Sequence, residues 1–270
     1  MKELGIVIPN LNQGPFLRTA LESIFGDEAS LVQVVVVDGG STDESLSVIE
    51  EFADRLHWWE SRPDNGQVDA INKGLGRLTS RFVAWQNADD FYLPDGIPLA
   101  LRAACSSIAP DVIMGNLALS DIHGRIAREV RYTVPCVREM LAEGMLLASQ
   151  SLFWKRELLD RIGYPSPRWT CSFDYDYFLR LSAAGLRFKH VGSCIGAFRL
   201  HDSQKSATVS SAFADENERI RASWAPARIP SVMFRAKRAL RLCIQGDAGY
   251  VVRGLVDRMR GGDRSPTPQS

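Results

Sequence analysis

Residues 32–41 read VQVVVVDGGS, a run of valines that ends in an acid, two glycines and a serine. Such a run predicts a strand that is apolar on both faces, as in parallel sheets covered by helices on both sides. The glycines end the strand, and Asp38 stands at its carboxyl end. Ser41 and Glu44 have the spacing of a capping box, which predicts that a helix follows.

Strand-like and helix-like segments alternate around this stretch through residue 115. Short apolar runs predict the strands, and apolar residues at helical spacing predict the helices between them. The predicted strands are residues 4–9, 32–37, 56–60, 82–86 and 111–114, and the predicted helices include residues 15–25 and 67–78. This alternation indicates an α/β fold with an open, mostly parallel twisted sheet flanked by helices.

The pattern changes after residue 115. The predicted elements there are an antiparallel hairpin over residues 116–132, helices over 137–145, 175–184 and 232–242, and strands over 188–191 and 196–200. Gly185 is placed as the residue that ends the second of these helices. Residues 261–270 are rich in Gly, Pro and Ser, which predicts a disordered tail.

Composition narrows the class of protein. The chain has 270 residues, enough for one large domain with an appendage, and 32 basic against 32 acidic residues. Because the net charge is zero, nothing in this balance indicates nucleic acid as a partner. The five cysteines lack CxxC spacing, so neither a disulfide framework nor a zinc site is expected, and a reducing cytoplasm is favoured. Neither a signal peptide nor a membrane span is expected from the apolar pattern.

Polar residues follow the predicted strands where these strands end. Asn10 and Asn12 follow the first strand, Asp38 and Gly39 follow the second, and the acidic loop, residues 87–90, follows the fourth. In an open α/β sheet, ligands bind beyond the carboxyl ends of the strands. Asp38 at this edge has two interpretations, a contact to a ribose or base and a cap for the next helix.

The acidic loop reads Asn87-Ala88-Asp89-Asp90. Phosphate-bound Mg²⁺ or Mn²⁺ usually takes one or two protein carboxylates, with phosphate oxygens and waters as the other ligands. Two adjacent carboxylates at a strand end supply such ligands. A solvated acidic turn is the alternative, and the loop taken alone favours it.

Three further groups have a functional and a structural interpretation. Asp69 and Asn72 lie three residues apart on a predicted helix, where they share a face that a sugar or base could contact. Asp174 stands at a helix start, a position that favours the ionised carboxylate of a general base, and a helix cap is the alternative. His201 follows a short strand, either as a metal or diphosphate contact or as a structural histidine.

Taken together, these segments resemble glycosyltransferase family 2, whose catalytic domain has the GT-A fold. The motifs stand in the family's order and spacing across about residues 4–206: IVIPNLNQG at 6–14, VVDGGSTD at 36–43, DNGQVDAINKG at 64–74, WQNADD at 85–90, DYD at 174–176 with RL at 180–181, and FRLH at 198–201. Each motif is weak alone, and their joint occurrence favours the functional interpretation of each group.

The resemblance implies a role for each matching residue. A nucleotide-sugar donor would contact Pro9, Asn10, Asn12, Asp38, Gly39, Gln67, Asp69, Asn72, Asn87 and Asp89. A divalent metal, Mn²⁺ or Mg²⁺, would be held by Asp89, Asp90 and His201. Asp174 would be the catalytic base of an inverting transfer. Many relatives carry an arginine where this chain has Ile71, and its absence leaves the donor nucleotide open, with UDP favoured over GDP or dTDP.

The resemblance also implies a domain organisation and a set of partners. Residues 1–206 would form the GT-A catalytic domain, with a nucleotide-sugar-binding half over 1–115 and an acceptor half over 116–206, and residues 207–260 a helical C-terminal extension. The acceptor would be a carbohydrate or a lipid-linked hydroxyl in polysaccharide or glycolipid synthesis at the cell envelope. No nucleic-acid partner is expected, and a homodimer is left open.

Two other functions compete with glycosyl transfer. A nucleotide-dependent dehydrogenase needs a Gly-x-Gly-x-x-Gly turn after the first strand, where this chain has PNLNQG at 9–14. A non-catalytic module that binds sugar nucleotides would keep the fold without turnover, and the presence of both Asp89 and Asp174 argues against it.

The C-terminal region is basic, with ten Arg or Lys against three Asp from Arg221 to the end. Its amphipathic helix over 232–242 has two interpretations. A basic amphipathic helix can lie on an anionic membrane, which would place a cytoplasmic enzyme at the inner face of that membrane. The alternative is a helix packed on the domain with its basic face in solvent.

Overall fold

The computed structural model describes residues 2–202, 204, 210–224 and 230–259. In this part of the chain nine strands form one sheet. The strands are β1 Leu4–Asn10, β2 Val32–Asp38, β3 Trp58–Ser61, β4 Phe82–Trp85, β5 Phe91–Tyr92, β6 Val112–Ser120, β7 Ile126–Val130, β8 Leu152–Lys155 and β9 Phe188–Arg199. The helices are α1 Gly14–Ile24, α2 Ser45–Phe52, α3 Gln67–Leu75, α4 Gly96–Ala104, α5 Val137–Glu143, α6 Leu158–Ile162, α7 Phe173–Ala183, α8 Ser210–Trp224, α9 Val232–Ile244 and α10 Ala248–Met259.

The strand order is β3-β2-β1-β4-β8-β6-β9-β5, with β7 paired to β6. The sheet is parallel from β3 to β4, and β9 runs parallel to β6. The strands β8, β7 and β5 run antiparallel to their neighbours. The predicted open α/β sheet flanked by helices is therefore confirmed, with a parallel first half and a mixed second half.

Two local predictions need correction. The capping box at Ser41 is wrong because that hydroxyl donates to Asp38, and the N–H of Ser45, where α2 begins, donates to Asp43 at 2.9 Å. The two strands predicted over 188–191 and 196–200 are one continuous strand, β9, because the residues between them continue the parallel pairing with β6 across local register shifts. The predicted hairpin over 116–132 is confirmed as β6 and β7.

The core lies on both faces of the sheet. Every residue of β2 is buried, as its valine run predicts. Helix α3 lies so close to β1 that a Cβ on Gly74 would come within 2.3 Å of Val7 Cγ1. The indole of Trp85, at the end of β4, packs between Trp154 and the α7 residue Phe178. Strand β4 thereby joins the first half of the chain to the second.

Among the described residues of the C-terminal region, three helices follow the sheet. Helix α9 lies where the sequence predicts a helix, while the predicted tail over 261–270 lies outside the described residues. The division at residue 206 stays a prediction. Across the ranges that the structure describes, no helix combines the length and the apolar character needed to cross a bilayer.

Candidate active site

The carboxyl ends of four parallel strands meet at one edge of the sheet. Asn10 at the end of β1 lies beside Asp38 at the end of β2, and Asp38 lies beside Ser61 of β3. The N–H of Gln86, directly after β4, donates to the Val7 carbonyl of β1 at 2.9 Å. The loops that carry the predicted nucleotide contacts and the acidic loop therefore leave the sheet at the same edge.

Asp38 is fully buried and accepts hydrogen bonds on both carboxylate oxygens. One oxygen accepts from the Asn10 amide at 2.7 Å and from the Ser41 hydroxyl, and the other accepts from the Ser61 hydroxyl at 2.6 Å. Burial acts to raise the pKa of Asp38, but these hydrogen bonds outweigh it and the pKa lies below its ordinary value. The carboxylate thus joins three strand ends, and its contact with a base stays a prediction.

The loop after β1 has a constrained backbone. Asn12 has a φ of 53°, in the left-handed region that residues other than glycine seldom adopt. Its side-chain oxygen accepts the N–H of Thr42 at 2.8 Å, and its own N–H donates to the Ser41 hydroxyl at 2.7 Å. Pro9 is buried in β1, and a Cβ on Gly39 would lie 3.2 Å from Asp64 Oδ2. These hydrogen bonds hold the loop after β1 against residues 41 and 42, and the nucleotide contacts of this loop stay a prediction.

Asp69 and Asn72 of α3 make separate contacts. The Asp69 carboxylate pairs with Lys73 at 2.9 Å, and the lysine lies one turn further along the helix. The Asn72 amide donates to the carbonyl of Pro165 at 2.9 Å, in the loop after α6. Neither contact joins these side chains to the acidic loop. Their shared role in binding a donor stays a prediction.

A chain of hydrogen bonds runs from α3 into the acidic loop. It reaches Asp90 through the Asn87 amide, which donates to Asp90 Oδ2 at 3.4 Å. Gln67 Nε2 donates to Asn87 Oδ1 at 2.9 Å, and Gln150 Nε2 donates to Asp90 Oδ2 at 2.7 Å. The backbone N–H of Arg199 donates to Asp90 Oδ1 at 3.0 Å. Burial, and after it the neighbouring carboxylate, raises the pKa of Asp90 well above its ordinary value. Both Asp90 oxygens are used inside the protein, which argues against its predicted part as a metal ligand.

Asp89 has a partly exposed carboxylate, 3.1 Å from Nε2 of His201. The His201 ring is buried and packs against Phe16, with centroids 4.9 Å apart. The Arg199 guanidinium donates to the Asp89 carbonyl at 2.8 Å and lies over the Phe16 ring. Two predicted metal ligands that are 112 residues apart in the chain therefore meet at one point.

This pair can be tested against the needs of a divalent metal. Asp89 and His201 offer a carboxylate oxygen and an imidazole nitrogen. A cation that binds together with a diphosphate needs only one or two protein ligands, because phosphate oxygens and waters supply the others. Over the described ranges, no group of three or more His, Cys, Asp or Glu could hold a metal. The donor set fits a cation that is shared with a diphosphate and does not fit a self-contained metal centre.

Asp174 lies in the first turn of α7 and is buried. Its carboxylate accepts the N–H of Tyr175 at 2.7 Å. Trp85 holds the start of this helix against β4, since its ring stacks on Phe178 at 5.5 Å and lies 6.0 Å from Phe173. Because only Gln86 separates Trp85 from the acidic loop, the same aromatic cluster positions both that loop and Asp174.

Glu216 of α8 and Gln150 are absent from the sequence-based predictions. The Glu216 carboxylate accepts the N–H groups of Thr170, Cys171 and Ser172 and the Thr170 hydroxyl, at 2.8 to 3.0 Å. Burial acts to raise the pKa of Glu216, but the hydrogen bonds outweigh it and lower the pKa. Since residues 170–172 lead into α7, Glu216 holds the approach to Asp174. A single glutamate in a helix has no sequence pattern that reports so distant a partner.

Comparison with known proteins agrees with the fold and identifies the family. Residues 5–145 match the family model Glycosyl transferase family 2. A PGL/p-HBAD biosynthesis glycosyltransferase of Mycobacterium tuberculosis is 27% identical over 194 residues, which cover 69% of this chain and 73% of that protein. An uncharacterized glycosyltransferase of Nostoc sp. is 24% identical over 238 residues, which cover 82% of this chain and 71% of that protein.

Two solved structures share the fold. Staphylococcus aureus TarS 1–349 in complex with UDP-GlcNAc has a TM-score of 0.59 at 15% identity, and the match covers 82% of this chain and 66% of that one, a little less than two thirds. The mannosyltransferase PcManGT of Pyrobaculum calidifontis, in complex with GDP-Man and Mn²⁺, has a TM-score of 0.57 at 16% identity, with 97% and 88% covered. The family model matches more than half of the present chain. The chain therefore belongs to glycosyltransferase family 2.

Proposed function

We propose that this glycosyltransferase moves a sugar from a nucleoside diphosphate sugar, with UDP-sugars first, to a hydroxyl of a carbohydrate or lipid-linked acceptor, with inversion at the sugar C1. The meeting of Asp89 and His201 at the edge where the strand-end loops converge carries the proposal. The donor class is further supported by structural neighbours, which hold UDP, UDP-GlcNAc and GDP-Man.

The donor would lie over the strand-end loops. Asp38 would shape this pocket indirectly, because it joins the ends of three strands, while Asn12 would line the pocket from its left-handed backbone position. Gln67 and Asn87 would border the donor sugar, since their hydrogen bond joins α3 to the acidic loop. The remaining proposed donor contacts are Pro9, Asn10, Gly39, Asp69, Asn72 and Asp89.

A divalent cation, Mn²⁺ or Mg²⁺, would be held by Asp89 and His201. When bound, such a cation neutralises charge on the departing diphosphate, which can lower a barrier by several kcal/mol. Asp90 would hold the acidic loop in shape through Gln150 and Arg199, so that Asp89 faces the donor.

Asp174 would accept the proton of the acceptor hydroxyl. The acceptor oxygen forms its bond to C1 of the donor sugar on the face opposite the diphosphate, and the bond from C1 to the diphosphate breaks. A positioned general base typically contributes ~10²–10⁴-fold to such a step. Glu216 and the Trp85 cluster would fix the helix start from which Asp174 acts.

The test is a thermal-shift panel of UDP-, GDP- and dTDP-sugars and NADH, each with Mn²⁺ or with EDTA. We expect a UDP-sugar to raise the melting temperature in Mn²⁺ and much less in EDTA, since a ligand at 100 times its Kd stabilises by about 2.7 kcal/mol. Stabilisation by NADH and by no nucleotide sugar would instead support a dehydrogenase.

The donor found in this panel is then incubated with carbohydrate and lipid-linked acceptors, and NMR gives the anomeric configuration of the product. Inversion at C1 is the expected result, and retention would contradict the single displacement. Binding of the donor with neither transfer nor hydrolysis in Mn²⁺ would identify a non-catalytic sugar-nucleotide-binding module.

A further inference from the structure

Helix α9 is attached to the domain through one of its faces. Phe234 and Leu242 are buried on that face. Arg238 pairs with Glu143 of α5 at 2.9 Å, and Arg241 pairs with Glu139 of the same helix. Two basic residues of the predicted amphipathic helix therefore attach α9 to α5.

The opposite face of α9 is apolar and exposed. Val232 is 78% exposed, Met233 59%, Leu240 62% and Ile244 77%. At 3.6 residues per turn these four side chains lie within an arc of about 120°. Large apolar side chains grouped on an exposed surface indicate an interaction site, whereas single ones are ordinary.

The exposed charged side chains of α9 beside this stripe are all basic. Arg235 and Lys237 are exposed and flank the apolar arc, and α9 contains no acidic residue. Helix α10, which packs against α9, adds exposed Val252 and Arg253. A surface with an apolar centre and a cationic border complements an interface that is apolar inside and negatively charged outside.

We propose that α9 lies in the surface of an anionic lipid bilayer, with Val232, Met233, Leu240 and Ile244 among the acyl chains and Arg235 and Lys237 at the headgroups. An amphipathic helix of this kind binds through its buried apolar area together with attraction to anionic lipids. A second copy on the same stripe would bring like charges together, which disfavours self-association. This contact is independent of the proposed chemistry, because none of these residues belongs to the candidate active site.

The experiment measures flotation of the full chain with vesicles of pure phosphatidylcholine and of phosphatidylcholine with phosphatidylglycerol. We expect binding to the anionic vesicles that weakens as salt is added. The double variant Leu240→Glu/Ile244→Glu should lower the partition coefficient at least tenfold, and Arg235→Glu/Lys237→Glu should lower it about fivefold or more for each charge. Ile108→Glu is the matched control, because Ile108 is 74% exposed and lies elsewhere, in the loop after α4.

Unchanged melting temperatures of the variants would show that lost binding is not lost folding. The proposal is overturned if the wild-type chain does not float with anionic vesicles, or if Ile108→Glu weakens flotation as much as the double variant does. It is also overturned if sedimentation velocity shows a dimer that the double variant dissociates while flotation is unchanged.

Discussion

Asp89 and Asp90 are adjacent in the sequence and lie in opposite surroundings. Asp90 is buried between Gln150 and the backbone of Arg199, while Asp89 keeps one face open beside His201. The sequence predicts an acidic pair at a strand end, but it does not show the division into one buried acid and one partly exposed acid. That division depends on Gln150, which is 60 residues away in the chain and stands in an ordinary run of small polar residues.

This division gives a prediction for Asp89→Asn. The substitution keeps the shape of the side chain and removes its charge, so we expect Mn²⁺-dependent affinity for UDP to fall about 10- to 100-fold. Affinity measured in EDTA should change little. Isothermal titration with and without Mn²⁺ measures both, and the exposed Asp160→Asn is the control. An equal loss of UDP affinity with and without Mn²⁺ would show that Asp89 does not bind the metal.

At the scale of helices and strands, α3 is placed by its contact with β1. A methyl group on Gly74 would meet Val7 at 2.3 Å, whereas one on Gly76 would meet its nearest atoms at 3.5 Å. The sequence shows Gly74 only as a weakness near the end of a predicted helix. Glycine is required at this position by tertiary packing, because the helix axis must approach the sheet closely.

We expect Gly74→Ala to lower the free energy of unfolding by about 1–3 kcal/mol, although alanine is the better helix former. Gly76→Ala, at an ordinary φ of −67°, should be nearly neutral. Urea denaturation of both variants measures the difference. Equal effects of the two substitutions would mean that close packing on Val7 is not the constraint.

The Glu216 side chain of α8 holds residues 170–172, the segment that leads into α7. We expect Glu216→Gln to lower the free energy of unfolding at pH 7 by about 2 kcal/mol, because a charged acceptor is lost from three N–H groups. The folded-state pKa of Glu216 is lowered, so its contribution is present above the ordinary pKa of 4.5 and is lost as the pH falls through the lower folded value.

The measurement is chemical denaturation of both proteins from pH 3 to pH 7. The difference in unfolding free energy should be constant at neutral pH and shrink below about pH 4.5. Glu218→Gln, on the exposed side of the same helix, serves as the control. A difference that does not change with pH would show that the carboxylate charge plays no part.

At the scale of the whole molecule, the first half of the fold could be read from the sequence and much of the second could not. Strands β1 to β4 follow from local apolar runs such as the valines of β2, whereas the two-residue strand β5 is absent from the predicted strands. Strand β9 reads as two short strands because its middle is exposed, and only pairing with β6 makes it continuous. The contact between Asp89 and His201 depends in the same way on a pairing of distant segments.

The two halves of the chain meet around Trp85. Its ring contacts Phe173 and Phe178 of α7, the helix that carries Asp174 in its first turn, and the acidic loop begins two residues after Trp85. One aromatic cluster therefore sets the position of the proposed base relative to the proposed metal ligands. We propose that this geometry serves glycosyl transfer, with Asp174 as the base.

Turnover of the stabilising nucleotide sugar by Asp174→Asn, measured beside the Kd of UDP with Mn²⁺, tests that claim most directly. We expect kcat to fall at least about 10²-fold while the Kd stays within about twofold of wild type. Asp176→Asn is the matched control, since Asp176 lies two residues further along α7 and pairs with Arg180. Full turnover in Asp174→Asn, or an equal loss in Asp176→Asn, would show that Asp174 is not the base.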